Sequence, residues 1–178
     1  PAACGVLPIC IGSATRAIEY ITNKDKQYRA ELTLGVQTDT QDSTGEVLKK
    51  SEVNVTNEQI EAVLKSFVGT LEQVPPMYSA VKINGEKLYN LARQGITIER
   101  EPRKVTVYGI DIINIEGNRV IFDVRCSKGT YVRTLCNDAG EKLGCGGHMS
   151  FLIRTKAGDF DIKDALTFEE ISDLAQKG

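Results

Sequence analysis

Three stretches of this 178-residue chain set reactive side chains beside unusual backbone: Tyr28-Arg29, the loop Thr38-Asp39-Thr40-Gln41-Asp42-Ser43-Thr44-Gly45, and Cys126-Ser127-Lys128-Gly129-Thr130-Tyr131-Val132-Arg133-Thr134. The third is the most informative. Gly129 and Thr130 open a helical pattern, so their N–H groups would stand free at a helix N-terminus, a setting that favours an anion, with Lys128 and Arg133 adding charge. Arg133 follows Val132 directly and lies two residues before Leu135, near the apolar seam of that helix. A partly buried guanidinium needs a carboxylate, and Asp42 is one candidate. On its own, the stretch reads equally well as a solvated helix start.

Thiol and imidazole chemistry has little to work with. Cys4, Cys10, Cys126, Cys136 and Cys145 are an odd number with no C-x-x-C pair, which favours reduced thiols in a cytoplasmic setting and argues against zinc. His148 is the single histidine, so multi-histidine metal sites are excluded. A hydrolase using Cys126, Cys136 or Cys145 with His148 needs an exposed, acidic thiol, and both Cys126 and Cys136 fall in apolar patterns.

The elements that must hold these residues follow from periodicity. Ser13 is positioned to cap a helix over residues 13–22, with Ala14, Ala17, Ile18 and Ile21 on one side. Residues 26–34 alternate, with Tyr28, Ala30, Leu32 and Leu34 on one face and Arg29, Glu31 and Thr33 on the other, as in a half-buried strand. Thr56 and Gln59 form a capping box ahead of Ile60, Val63, Leu64 and Phe67. Pro75-Pro76 breaks regular structure, and a short helix with Leu88, Leu91 and Ala92 follows Gly85 and stops at Gly95. Residues 104–115 and 119–126 read as a β-hairpin turning at Glu116-Gly117-Asn118. The helix after Lys128-Gly129-Thr130 carries Val132, Leu135, Cys136, Ala139 and Leu143 and ends at Gly144. Residues 149–153 are a further strand, and Thr167 with Glu170 caps a last helix containing Ile171 and Leu174.

Antiparallel-type strands interrupted by helices, without a βαβ rhythm, predict an α+β fold: a mixed, mainly antiparallel central sheet with flanking helices, and residues 75–103 as a basic-leaning, mobile insertion. The chain is 41% apolar and 26% charged, an ordinary composition for a single globular domain. Twenty-two basic against 24 acidic residues advertise no polyanion partner globally, so any nucleic-acid face must be local. No apolar run reaches membrane-spanning length and no basic segment opens a signal peptide. The chain starts at Pro1 without Met, with Val6-Leu7-Pro8-Ile9 close behind, which suggests numbering that begins inside a longer protein.

The motifs Gly5-Val6-Leu7-Pro8-Ile9-Cys10-Ile11-Gly12, Tyr28-Arg29-Ala30, Gly35 with Thr38-Asp39-Thr40-Gln41-Asp42, Pro76-Met77-Tyr78-Ser79-Ala80-Val81-Lys82 and Gly129-Thr130-Tyr131-Val132-Arg133-Thr134 resemble, in order and spacing, those of the TruB family of tRNA pseudouridine synthases. The resemblance implies a pseudouridine synthase fold and a cofactor-free, metal-free, monomeric cytoplasmic isomerase. Its partner would be the T-arm of tRNA, with no role for a membrane. Its product is pseudouridine from the T-loop uridine at position 55 of tRNA. The family's nucleophile is an aspartate whose motif ends as Pro1-Ala2-Ala3-Cys4 does here, so it would immediately precede Pro1. By the same resemblance residues 1–178 are a catalytic domain shortened at its N-terminus, inactive alone, and lacking the family's C-terminal RNA-binding domain.

Residue by residue, the resemblance makes Tyr28 the tyrosine on the target base, able to help remove the C5 proton. Arg133 becomes the arginine that pairs with the catalytic aspartate. Asp42 is a pocket acid, and Tyr131 and Leu152 touch the bound nucleotide. Lys82, Lys87 and Arg93 in the insertion, with Lys128, would contact RNA. Each has a plainer reading: Tyr28 as core, Tyr131 and Leu152 as packing, the insertion as a solvated excursion. The alternative function is an RNA-binding module without catalysis.

Overall fold

The computed structural model describes residues 3–83 and 85–177, apart from the side chain of Lys177; Pro1 and Ala2, the start of the expected nucleophile motif, lie outside the described residues. The alternating segment Lys26–Leu34 (β2) runs through the middle of the main sheet, with Ala30, Leu32 and Leu34 fully buried. Around it, in chain order, lie β1 (Ala3–Gly5), a 3₁₀ turn (Gly12–Ala17), α1 (Ile18–Thr22), β3 (Val36–Thr38), β4 (Val47–Lys50), α2 (Asn57–Lys65) and β5 (Gly69–Gln73). Then come β6 (Lys82–Ile83), β7 (Glu86–Lys87), α3 (Leu88–Arg93), β8 (Arg103–Glu116), β9 (Arg119–Cys126), α4 (Val132–Lys142), β10 (Gly147–Ala157), β11 (Phe160–Asp161) and α5 (Phe168–Lys177). Among the described residues the sheet has seven strands in the order β1-β10-β2-β9-β8-β5, with β11 also on β10. Every pairing in it is antiparallel except β1 with β10. The fold is therefore α+β on a mixed, mainly antiparallel sheet, as the strand pattern predicts.

One face of this sheet is covered by α2 and α4. Ile60 and Leu64 from α2, with Phe67 beyond it, meet Val107 and Ile110 of β8, while Val132, Leu135, Cys136 and Ala139 of α4 complete a core around Phe122 and Leu32. The Thr56 capping box is formed in full, with Gln59 N–H donating to Thr56 Oγ1 and Thr56 N–H donating to Gln59 Oε1. Helix α4 lies so close to β10 that a Cβ on Gly140 would sit 2.1 Å from the nitrogen of Gly147. A larger residue there would push the helix, and Arg133 with it, off the sheet.

Three expectations change. Residues 13–22 are not one α-helix: Ile11 occupies the cap position without a side-chain bond, a 3₁₀ turn leads into the five-residue α1, and Ala14, Ala17 and Ile18 are exposed. An apolar side left mostly exposed cannot offset the nucleation cost of a longer helix. The last strand is twice the expected length, because β10 pairs with β2 along almost all of it. The helix after Cys126 begins only at Val132, with Tyr131 as its cap residue. No helix among the described residues is long and apolar enough to cross a membrane.

Candidate active site

Alternation along β2 decides which side chains reach the cleft. Tyr28 points to the face that holds α4, opposite Val124 on β9 and Arg154 on β10. Arg29 points the other way, where its Nε and Nη2 each donate to Asp123 at 2.8 Å, so it belongs to the outer face and not to the site. Leu152 pairs with Ala30 and with Ala3 of β1, and all three strands deliver residues to one hollow. That hollow has a volume of about 300 Å³ and is lined by Ala3, Tyr28, Asp42, Met149, Leu152 and the run Thr130, Tyr131, Val132 and Arg133. A larger concavity of about 470 Å³ between α2 and β8 is lined by Asn57, Glu61, Lys65, Asp111 and Asn114 with isoleucines of β8, and among the described residues holds neither an arginine nor an aromatic residue. The smaller one gathers an acid, an arginine and two tyrosines, the combination chemistry requires.

Asp42 and Arg133 form its polar floor. Arg133 Nη1 donates to Asp42 Oδ2 at 3.0 Å, with the two side chains 17% and 10% exposed. Arg133 Nη2 donates to the carbonyl of Tyr78, joining α4 to the start of the 75–103 insertion. The other carboxylate oxygen, Oδ1, accepts from Thr40 Oγ1 at 2.8 Å and from Thr44 N–H at 3.0 Å, and also from the Thr44 hydroxyl. Gln41, at φ 64°, turns the chain so that Asp42 faces inward. Its side chain accepts from Thr134 Oγ1 at 2.8 Å and its carbonyl accepts from Met149 N–H at 3.0 Å. The loop that sequence composition marks as rich in local hydrogen bonds is thus an acid holder.

Burial pushes the Asp42 carboxyl up, but the hydroxyls of Thr44 and Thr40, the Thr44 amide and Arg133 together hold it below its ordinary value. A lowered folded value stabilises the protein above the unfolded value near 3.8, and that contribution is lost as pH falls through the folded one. The urea midpoint of Asp42→Asn should therefore fall well below that of the wild type at pH 7, and the gap should narrow at pH 3. A gap of equal size at both pH values would mean that the ionised carboxylate is not what the network holds.

Tyr131 is held through its backbone. The Gln73 side chain, 3% exposed, accepts from Tyr131 N–H at 2.8 Å and donates to Tyr131 C=O at 3.0 Å. Of the two amides that the sequence offers to an anion, Gly129 and Thr130, that of Thr130 is directed at Ser127 C=O, and the next amide, of Tyr131, is taken by Gln73. Gln73→Leu leaves both Tyr131 groups unpaired and should cost about 3 kcal/mol in unfolding free energy, measured by urea titration. A loss under about 1 kcal/mol, an ordinary single hydrogen bond, would show that water replaces the glutamine.

The expected RNA-contacting residues lie outside this hollow. Lys82 pairs with Lys87 across the β6–β7 hairpin, and Lys87 and Arg93 flank the Tyr89 ring at 5.5 and 5.3 Å. Lys128 is exposed, and its Nζ donates to Asn23 Oδ1 at 2.8 Å. The structure thus brings Tyr28, Asp42, Tyr131, Arg133 and Leu152 together and spreads Lys82, Lys87, Arg93 and Lys128 over the surface. Gln73, Thr40, Thr44 and Met149 are site residues that sequence reading passes over. Threonines two residues either side of Asp42 are a readable sign of a held carboxylate, whereas nothing local marks Gln73. Thiol chemistry finds no support. Burial raises Cys126 to about 11 and pushes Cys136 higher still, and His148 is buried with Nδ1 3.0 Å from the Val36 carbonyl.

Residues 1–132 match the family model for the TruB family pseudouridylate synthase N-terminal domain, and residues 133–178 match that for the tRNA pseudouridylate synthase B C-terminal domain. The chain belongs to the TruB family. The boundary between the two family matches falls in the first turn of α4, inside one continuous core. The chain is 56% identical over 174 residues to tRNA pseudouridine synthase B of Alkaliphilus oremlandii, covering 98% of this chain and 58% of that protein. It is 50% identical over 185 residues to tRNA pseudouridine synthase B of Bacillus pumilus, covering all of this chain and 60% of that protein. The chain thus spans somewhat under two thirds of these TruB relatives. Among solved structures it resembles a chain of the Cbf5-Nop10-Gar1 complex, with TM-score 0.74 and 32% identity over 97% of this chain and 43% of that one. A second likeness is to a chain of an H/ACA RNP bound to a substrate RNA containing 2'-deoxyuridine, with TM-score 0.69 and 27% identity over 97% and 41%.

Proposed function

We propose that the full-length protein is a tRNA pseudouridine synthase that isomerises the T-loop uridine, position 55, of tRNA. The base is drawn out of the loop and lies in the 300 Å³ hollow against Tyr28, with Leu152 and Tyr131 beside it. A carboxylate attacks the nucleoside, the bond from ribose C1' to N1 breaks, and the freed uracil turns to present C5. A bond from C1' to C5 forms as the bond from C1' to the carboxylate breaks, the C5 proton passes to the Tyr28 oxygen in its phenolate form, and N1 takes up a proton. The product has the same atoms as the substrate, and no redox partner or cofactor is called for. In this reading the nucleophile is the aspartate of the family motif, expected immediately before Pro1.

The observation that carries the proposal is convergence: Tyr28, Arg133 and Asp42, far apart in sequence, share one cleft with Ala3 of β1, the strand nearest the expected nucleophile. Lys82, Lys87, Arg93 and Lys128 steer the T-arm phosphates, so RNA affinity falls as salt rises. The test is tritium release from tRNA carrying [5-³H]uridine, mixed with full-length protein. Release from T-loop uridine is the expected result, and its absence with a well-folded protein that binds the RNA leaves the RNA-binding module as the correct reading.

A further inference from the structure

Strands β1, β10 and β2 bring three residues into line: Gly5 pairs with Arg154, and Arg154 pairs with Tyr28. Residues directly opposite on neighbouring strands present their side chains to the same face, so the Arg154 side chain leaves the sheet beside the Tyr28 ring. Gly5 has no side chain to compete for that space. A Cβ on it, at φ 112°, would also lie 2.3 Å from the Arg154 carbonyl oxygen. Arg154 is tied twice to Val6, the residue after Gly5, since Val6 N–H donates to Arg154 C=O at 2.9 Å and Arg154 Nε donates to Val6 C=O at 2.8 Å. A guanidinium anchored in this way cannot swing into solvent as a surface arginine does.

We infer that Arg154 is a positioning residue for Tyr28, tying the strand that borders the cleft to the tyrosine and holding a fixed positive charge next to the phenol. The groups facing Tyr28 make the charge matter. Cys126 stands near it from β9, Lys26 is on its own strand, and Asp42, Arg133 and Tyr131 face it across the hollow. Lys26 turns its Nζ away, onto the carbonyls of Thr22 and Lys24. The Arg133 charge is matched by Asp42. Burial, and secondarily Cys126, push the phenol above its ordinary value, and Arg154 works against both. A phenol that accepts a proton from carbon must spend time as phenolate, and a neighbouring guanidinium stabilises that anion.

This inference rests on the reading of Tyr28 as the residue at the base, but its decisive test needs no turnover. Full-length protein labelled with [¹³Cζ]tyrosine is titrated by NMR, with the Tyr28 resonance assigned by its loss in Tyr28→Phe. Arg154→Gln should raise the Tyr28 midpoint by about one pH unit, while Arg154→Lys, which keeps the charge, should leave it within a few tenths. In single-turnover assays Arg154→Gln should slow tritium release about tenfold with RNA affinity unchanged, and Arg154→Lys should recover most of the rate. A midpoint unmoved in Arg154→Gln overturns the inference even if activity falls. If that variant does not fold, Arg154→Met provides the same neutral comparison, and a midpoint raised as far in the folded Arg154→Lys protein also overturns it. Failure of the Tyr28 reading looks different: Tyr28→Phe would retain turnover while Arg154 still shifted the titration.

Discussion

Tyr28→Phe should lower the single-turnover rate of tritium release by roughly 10²–10⁴-fold, the span over which a positioned acid or base acts. RNA affinity should change little. The ring sits in β2 with fully buried Ala30 on the same face two residues on, and it is packed against the core, so removing the hydroxyl leaves its placement and stacking face intact. What goes is the hydroxyl of a side chain that lines the hollow. The comparison to make is rate against dissociation constant in the same preparation. A near-normal rate would reduce Tyr28 to a stacking platform, and a loss of both rate and affinity would point to misfolding of the cleft.

Arg133→Lys is the second large effect, and the reason is geometric rather than coulombic. The guanidinium donates in two directions at once, from Nη1 to Asp42 Oδ2 and from Nη2 to the Tyr78 carbonyl, so one planar group sets both the acid loop and the start of the insertion against α4. An ammonium keeps the charge but has no rigid fork with which to reach both. Misplacement of a reacting group by about 1 Å can cost on the order of 10²-fold, and a loss of that size is expected here. The dissociation constant for tRNA should stay within about twofold, since the pair is turned inward and contributes little to a phosphate-facing surface. Equal losses in rate and affinity would make Arg133 an RNA contact instead.

Much of this was legible before any coordinates. The period-two pattern of Lys26–Leu34 and the hairpin around Gly117 are set by local chemistry, as is the Thr56 capping box, and they appear as expected. Asp42 as a partner for Arg133 follows from asking what a half-buried guanidinium needs, and the two meet at 3.0 Å. The failures are instructive in the same terms. The 13–22 segment has helical spacing, but spacing cannot reveal that Ala14, Ala17 and Ile18 on its apolar side stay exposed. The Gly129-Thr130 anion site assumed a helix N-terminus at those residues, whereas the helix starts at Val132, Thr130 N–H turns to Ser127, and Gln73, 58 residues away in the chain, takes the Tyr131 N–H.

The chain's own order of residues determined β2, the β8–β9 hairpin and the capped helix α2, the family to which it belongs, and the kinds of side chain available for chemistry, because periodicity, capping and motif spacing act within a few residues of one another. Only the tertiary structure decided that Tyr28 faces the cleft while Arg29 turns to Asp123, that Gln73 grips Tyr131, and that Gly5, Arg154 and Tyr28 stand abreast on three strands. Those facts depend on sheet register and on how closely α4 approaches β10, and register is fixed by the packing of the whole core rather than by any one segment.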